Sequence, residues 1–571
     1  MVGRVWADDS TLGPANGPVH APSRAHGRYP GSMIVALMAS AALALSPSEI
    51  GFADALDLPD RLGWAASDRE VRRFVRDAAE PDAVFARSIK EGQRASLRVL
   101  DDPTIYAVRA TLRSLPDGPF LELIESVVFT NDSKVPLDTL AFRVLPAGQD
   151  VWSSGVLVRG VFVGGKAAVW ALEDTVLGVA LERPLRPGET VRVMLDVVQR
   201  VPRFRKRTSA EVDRLTPEAT GAYGFHEQAG ESYINLGYWL PMLTPVSDDG
   251  TWDVRRLPRN GEHTWFEPAM FLVALTVPPG VEVATTGVEI GREVAAGQTT
   301  VVATAAATRE FAVNIGDFDV VEQEVGGTRV RVFHPAGQSE VGAHLLAYAS
   351  DALAFFEASL GELPDRELDI VETPVSVALG IEFPGLVTVD TGHGSGTYRK
   401  SPSHEWTVAH EVAHQWWYGV VGNDAQLEPW VDEALTSATA AAYWERRYGR
   451  DSLEGLYELD VVEPYREMYD RGLTDLPAHL PGARYDLRRY AAVVYGKAVL
   501  FFDRVRVEMG DAVFLRVLAA HYREHRFGDT SGDDLLASFL ADPGTRPAVQ
   551  ALYDRWIAGA HGFEDILGRT R

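Results

Sequence analysis

The sequence predicts a multidomain α+β protein: a β-rich N-terminal region, a mixed and increasingly helical central region, and a short helical C-terminal tail. Three observations carry this. The chain has 571 residues, which at about 150 residues per domain points to roughly three to four domains. Its composition, 46% hydrophobic and 24% charged with 9% aromatic residues, is that of a globular protein able to fill large cores. The apolar period, close to two before Gly337, shifts towards 3.6 after it.

In chain order, residues 1–50 read as a leader. Met33 to Leu45 is a single apolar run, too short to span a bilayer as a helix. Arg24, His26 and Arg28 precede it, and small residues such as Ala42, Ala44 and Ser46 suit cleavage nearby. Export to a periplasm or the exterior is expected, with no stable membrane insertion once the leader is removed. A start at Met33, or a buried helix in a cytoplasmic protein, is the alternative. Residues 51–95 form a helical or irregular lead-in.

The β-rich domain is placed at 96–275. Runs such as Tyr106 to Leu112, Leu121 to Phe129 and Val191 to Val198 alternate or are β-branched, and turn clusters at Pro116 to Gly118, Thr130 to Ser133 and Pro187-Gly188 separate them. Beta character resumes at Phe271 to Val277 and lasts to Arg329 to Phe333. Residues 276–510 are placed in the second domain, with a helix over Val341 to Leu360, strands at Glu367 to Val371 and Leu386 to Val389, and helices thereafter. Residues 511–571 are the helical tail. Gly392 to Gly396 lacks the Lys-Ser/Thr of a phosphate-binding loop and reads as a connector.

Charge and cysteine content narrow the function. With 55 basic and 80 acidic residues the net charge is −25, which repels phosphate backbones, so no nucleic-acid partner is expected. Cysteine is absent, so a thiolate nucleophile is excluded and any metal site must use His and carboxylates.

The strongest signal is His410-Glu411-Val412-Ala413-His414, in a stretch free of Pro and Gly from Glu405 to Tyr418 that predicts a helix. Residues four apart share a helix face, so the two imidazoles can reach one zinc ion while Glu411 activates a water. Trp430 to Glu433 follows the helix-start signal Glu428-Pro429 and offers Glu433 as third ligand. Three protein ligands leave a fourth position open, which is the catalytic arrangement. His404, six residues before His410, falls on another face and serves as a non-ligand control. Trp406, Trp416, Trp417 and Trp430 read as packing residues.

The words HEVAHQWW and WVDEA, with eighteen residues between His414 and Glu433, resemble the M1 family of zinc metallopeptidases, the gluzincin aminopeptidases that include leukotriene A4 hydrolase. The resemblance runs over roughly residues 95 to 530. It implies a saddle-like β-rich domain, a thermolysin-like catalytic domain, one zinc ion per chain held by His410, His414 and Glu433, and Glu411 as general base. Gly380 to Gly385 is similar to the family's exopeptidase segment, which implies substrate binding at Gly380 and Glu382, the glutamate taking the free α-amine. Tyr490 to Ala498 is similar to its tyrosine block, which implies that Tyr495 donates to the oxyanion. Leu379, Phe383 and Ala434 depart from the usual Gly, Asn and Gly. The implied activity is removal of N-terminal residues from peptides with a free amino terminus. The rival readings are a zinc hydrolase of other specificity, endopeptidase or epoxide hydrolase, and a non-catalytic scaffold of the same fold. The sequence is silent on oligomeric state.

Overall fold

The structure, a computed structural model, describes residues 82–569 apart from 101, 116–117, 149–153, 205–223, 229–232, 259–260, 264, 376–377, 393–397 and 399. The run Met33 to Leu45 and most of the lead-in lie outside the described residues, as do the last four residues of the Gly392 to Gly396 connector.

Strand-forming runs of the first half assemble into an eight-stranded sheet, in the order Val288–Ala295, Gln298–Thr308, Ala269–Val277, Ile105–Leu115, Gly118–Thr130, Thr190–Arg200, Val156–Val163, Lys166–Ala167. Along Thr190–Arg200 buried and half-buried positions alternate, as expected of a strand with one face on a core. That face shares a core with the four-stranded sheet containing Leu137–Arg143 and Val176–Leu185, through Leu123, Val193, Leu140, Phe142 and Val179.

One boundary needs correction. The strand Ala269–Val277 is central, pairing parallel with Ile105–Leu115 and antiparallel with Gln298–Thr308. A change of domain at 275 would cut it. The β-rich layer continues at least to residue 308, because distant segments complete it and the edge strand Val288–Ala295 is too exposed to show a hydrophobic pattern.

The second region is built on a five-stranded sheet, Phe318–Val325, Thr328–Pro335, Glu367–Glu372, Leu386–Val389 and Gly380–Ile381 in that order. Helix Ser339–Leu360 links the parallel strands Thr328–Pro335 and Glu367–Glu372, as a parallel pairing requires. The helices pack on this sheet. Those beyond Asp511, expected as a tail, bury Phe514, Leu518, Phe539, Val549 and Trp556 in the same core as Val408 and Leu435, so they are part of the second region rather than a tail. Trp416, Trp417 and Trp430 are fully buried there. Among the described residues no helix is long and apolar enough to cross a membrane.

The two regions are joined by a buried arginine. Arg309, 1% exposed, donates to the carbonyls of Phe266 (2.8 Å) and Gly528 (2.7 Å) and pairs with Asp529 (2.8 Å).

Candidate metal and catalytic site

The helix that carries the two histidines spans Pro402–Ala413. Ser401 caps it by accepting from the Ser403 N–H, and Pro402 occupies the first turn, where its missing N–H costs nothing. The expected continuation to Tyr418 does not form. Tyr418 takes φ 110°, its N–H donates to the Val421 carbonyl (2.7 Å), and the Gly419 N–H returns to the His414 carbonyl (2.9 Å). The chain therefore turns sharply at the second histidine. Tyr418 is held in this unfavourable conformation by its hydroxyl, which donates to buried Glu310.

His410 and His414 keep their one-turn spacing, with Nε2 atoms 3.1 Å apart. Glu433 comes from the widened turn Trp430–Ala434 that leads into helix Leu435–Tyr448. Its Oε2 lies 3.3 Å from His410 Nε2 and 3.5 Å from His414 Nε2. A tetrahedral ion with bonds of about 2.0–2.1 Å has ligand–ligand edges of about 3.4 Å. The three donors thus fit a zinc ion, and Glu433 Oε2 is buried with no hydrogen-bond partner among the described residues. Against the upward push of burial, the two imidazoles beside it hold the Glu433 carboxyl down to about 2.

The remaining ring nitrogens are committed elsewhere. His410 Nδ1 faces Ser437 Oγ (3.2 Å), and His414 Nδ1 faces the Trp417 carbonyl (3.0 Å) and Asp432 Oδ1 (3.3 Å). Such partners fix ring orientation and leave Nε2 for the metal. Glu382, His414 and Asp432 also converge, but Asp432 meets His414 at Nδ1, which already faces the Trp417 carbonyl, so Asp432 reads as an orienting group. His404 stands apart from both clusters, its ring stacked on Tyr398 at 5.6 Å.

Glu411 lies beside these donors, 5% exposed, with Oε2 unpartnered among the described residues. Burial, and next the charge of Glu382, push its carboxyl well above the ordinary range. Gly380 borders it so closely that a Cβ there would stand 2.3 Å from Glu411 Oε1. Gly380 thus makes room for the Glu411 carboxyl. Two residues on, Glu382 is 7% exposed; burial, opposed by His414 and aided by Glu433 and Asp432, pushes it up to about 7.

Gln415, which the sequence reading passed over, ties this segment to the histidine helix. Its Oε1 accepts from the Gly385 N–H (2.7 Å) and its Nε2 donates to the Phe383 carbonyl (3.4 Å). Phe383 is anchored in turn against Tyr238, rings 5.1 Å apart, and over Gly237, where a Cβ would lie 2.1 Å from the ring. The departure at Phe383 is explained by that aromatic anchor. Tyr495 reaches the ligand set from Tyr490–Lys497, its hydroxyl donating to Glu433 Oε1. It is 37% exposed, on the open side of the site. The structure therefore brings Glu382, Gly380, His410, Glu411, His414, Glu433 and Tyr495 together and adds Gln415 and Asp432. Adjacency to the ligand words was their only sequence signal.

Residues 349–556 match the family described as Peptidase family M1 domain. Aminopeptidase M1 of Arabidopsis thaliana is 26% identical over 317 residues, 51% of this chain and 34% of that protein. Aminopeptidase M1-B of Oryza sativa subsp. japonica is 31% identical over 311 residues, 51% of this chain and 35% of that protein. The chain thus spans about a third of the length of these curated relatives. An M1 zinc metallopeptidase from Deinococcus radiodurans superposes with a TM-score of 0.57 at 21% identity, over 80% of this chain and 94% of the other. A mutant of that enzyme bound to a Tyr-Ser-Ala substrate gives 0.57 at 20% identity, over 80% and 95%. At this identity the superposition supports the fold alone.

Proposed function

We propose, from the premise that this chain carries a peptidase family M1 domain, that it is a zinc-dependent aminopeptidase releasing N-terminal residues from peptides with a free amino terminus. The observation that carries this is the convergence of two His Nε2 atoms and a glutamate oxygen within 3.5 Å of one another, bordered by Glu411, Glu382 and Tyr495. Zinc held by His410, His414 and Glu433 would supply Lewis acidity towards the scissile carbonyl and a lowered pKa for the attacking water.

The chain's own residues do the rest. Glu411 takes the proton of the attacking water and returns it to the leaving amine, a role suited to a carboxylate whose pKa is raised by burial. Tyr495, now donating to Glu433, swings its hydroxyl to the oxyanion as negative charge develops there. Glu382 pairs with the substrate α-ammonium; a charge-assisted contact in a nearly dry site is strong and fixes the distance from chain end to scissile bond. An intact base, ligand set and tyrosine have no use in a scaffold. Export, read from Met33 to Leu45, is part of the proposal.

The test is hydrolysis of aminoacyl anilides by purified protein before chelation, after chelation and after zinc is restored. Activity should vanish and return with one zinc per chain. Activity indifferent to the chelator would sink the reading.

A further inference from the structure

The helix that carries the two histidines stops at Ala413, and the chain then turns back on itself. Backbone bonds build the turn. The Gly419 N–H donates to the His414 carbonyl (2.9 Å), the Val421 N–H to the Trp416 carbonyl (2.9 Å), and the Tyr418 N–H to the Val421 carbonyl (2.7 Å). A peptide unit is planar, so the Tyr418 N–H and the Trp417 carbonyl form one rigid plate, and fixing one direction fixes the other. That carbonyl is the nearest of three oxygens around His414 Nδ1, at 3.0 Å, with Asp432 Oδ1 and Thr436 Oγ1 both at 3.3 Å. An imidazole that gives Nε2 to a metal has a single Nδ1 proton to offer them. The direction of the ring therefore depends on how firmly the carbonyl is presented.

The plate is held against its own preference. Tyr418 takes φ 110°, which a residue with a Cβ rarely adopts, and a change in that angle would swing the Trp417 carbonyl away from His414. The restraint comes from a distant segment. The Tyr418 hydroxyl donates to Glu310, which is buried on the stretch between strands Gln298–Thr308 and Val313–Gly316. Glu310 is itself anchored, because the Thr308 hydroxyl donates to its carbonyl (3.3 Å) and its neighbour Arg309 is fastened to the Phe266 and Gly528 carbonyls.

Neither the ligand set nor the proton transfers use Glu310, yet a carboxyl is costly to bury. Resting on the ligand set of the proposed function, we propose that Glu310 is a positioning residue for the metal. By holding Tyr418 it aims the Trp417 carbonyl at His414, and so it sets the zinc affinity of a site it does not touch. Loss of a partner on the far nitrogen of a ligating imidazole lowers metal affinity by about 10- to 100-fold. Here that control passes from the β-rich region to the metal through one phenol.

The test reads zinc binding directly, by competition with a chromophoric chelator of known affinity, on the purified full chain. Tyr418→Phe removes only the hydroxyl, and Glu310→Met removes the acceptor at similar length; each should raise the zinc Kd about tenfold or more. Glu310→Gln keeps an acceptor oxygen and should stay within about threefold of wild type. The double variant Tyr418→Phe, Glu310→Met should bind no more weakly than the weaker single variant, because both cut the same bond. With cobalt in place of zinc, the visible absorption bands should shift in Tyr418→Phe and not in Glu310→Gln. A zinc Kd unmoved in Tyr418→Phe, or losses that add in the double variant, would overturn the proposal. A lowered thermal midpoint with Kd and spectrum unchanged would do the same, since that is the mark of a purely structural bond. Should Glu310→Met not fold, Tyr418→Phe decides alone. Wild-type protein that bound no zinc would sink the ligand set as well, whereas zinc binding equal in wild type and variants sinks only this inference.

Discussion

The ligand end of the site, His410, His414 and Glu433, is knit together by short-range contacts, whereas the proposed substrate end, Gly380 and Glu382, is placed by segments that the fold gathers from distant parts of the chain. At the ligand end one helical turn sets the imidazole spacing, and carbonyl, hydroxyl and carboxylate partners fix each ring. At the substrate end nothing local fixes the arrangement: Glu382 directly follows the edge strand Gly380–Ile381, and the segment is stitched down by Gln415 at Gly385 and Phe383 and by the Phe383 ring against Tyr238. The first end brings three donor atoms into the spacing of a metal site. The second gathers buried carboxyls that burial pushes above their ordinary range, Glu382 up to about 7 and Glu310 up to about 8.

That difference can be broken from either side. Removing a ligand should have the largest effect: His414→Ala is expected to lose stoichiometric zinc and all measurable hydrolysis, and a purified variant with full zinc by elemental analysis would remove His414 from the ligand set. Glu411→Gln should keep the metal while kcat falls about 10³-fold, since an amide cannot take up the water's proton; near-normal turnover would make Glu411 a bystander. Tyr495→Phe should lower kcat by about 10²-fold with KM little changed, as loss of one oxyanion donor does. An effect confined to KM would make it a binding residue. Gly380→Ala sharpens the comparison at the junction of the two ends, because its Cβ would meet Glu411 Oε1 at 2.3 Å. Retained zinc with kcat down about tenfold is expected from a displaced base; unchanged kcat would show that Glu411 tolerates the shift.

The same contrast explains what could be read from the sequence. His410, Glu411 and His414 are legible because an i, i+4 pair needs only a helix, and Glu433 because a helix-start signal precedes it. Glu382 and Tyr495 became legible only through resemblance, since a carboxylate near a strand edge and a tyrosine on a helix carry no pattern of their own. Gln415 and Asp432 carried no pattern of their own: only the fold sets Gln415 on Gly385 and Asp432 against His414. The helix was read too long by Tyr418 because no local rule forbids that residue from turning the chain. A distant partner, Glu310, holds it there. Likewise the β-rich layer was cut at 275, inside a strand, because its parallel pairing with Ile105–Leu115 is set by topology rather than by neighbouring residues.

The proposed trimming of chain ends rests on Glu382 holding the free α-ammonium. It is tested most directly by measuring kcat/KM of the zinc-loaded protein on one tripeptide with its amino terminus free and acetylated. The free peptide should be cleaved about 10²-fold faster or more, only at its first bond, and Glu382→Ala should erase most of that difference. If the wild-type protein cut the acetylated peptide internally as fast as it trimmed the free one, the aminopeptidase account would be wrong, while the zinc hydrolase beneath it would stand.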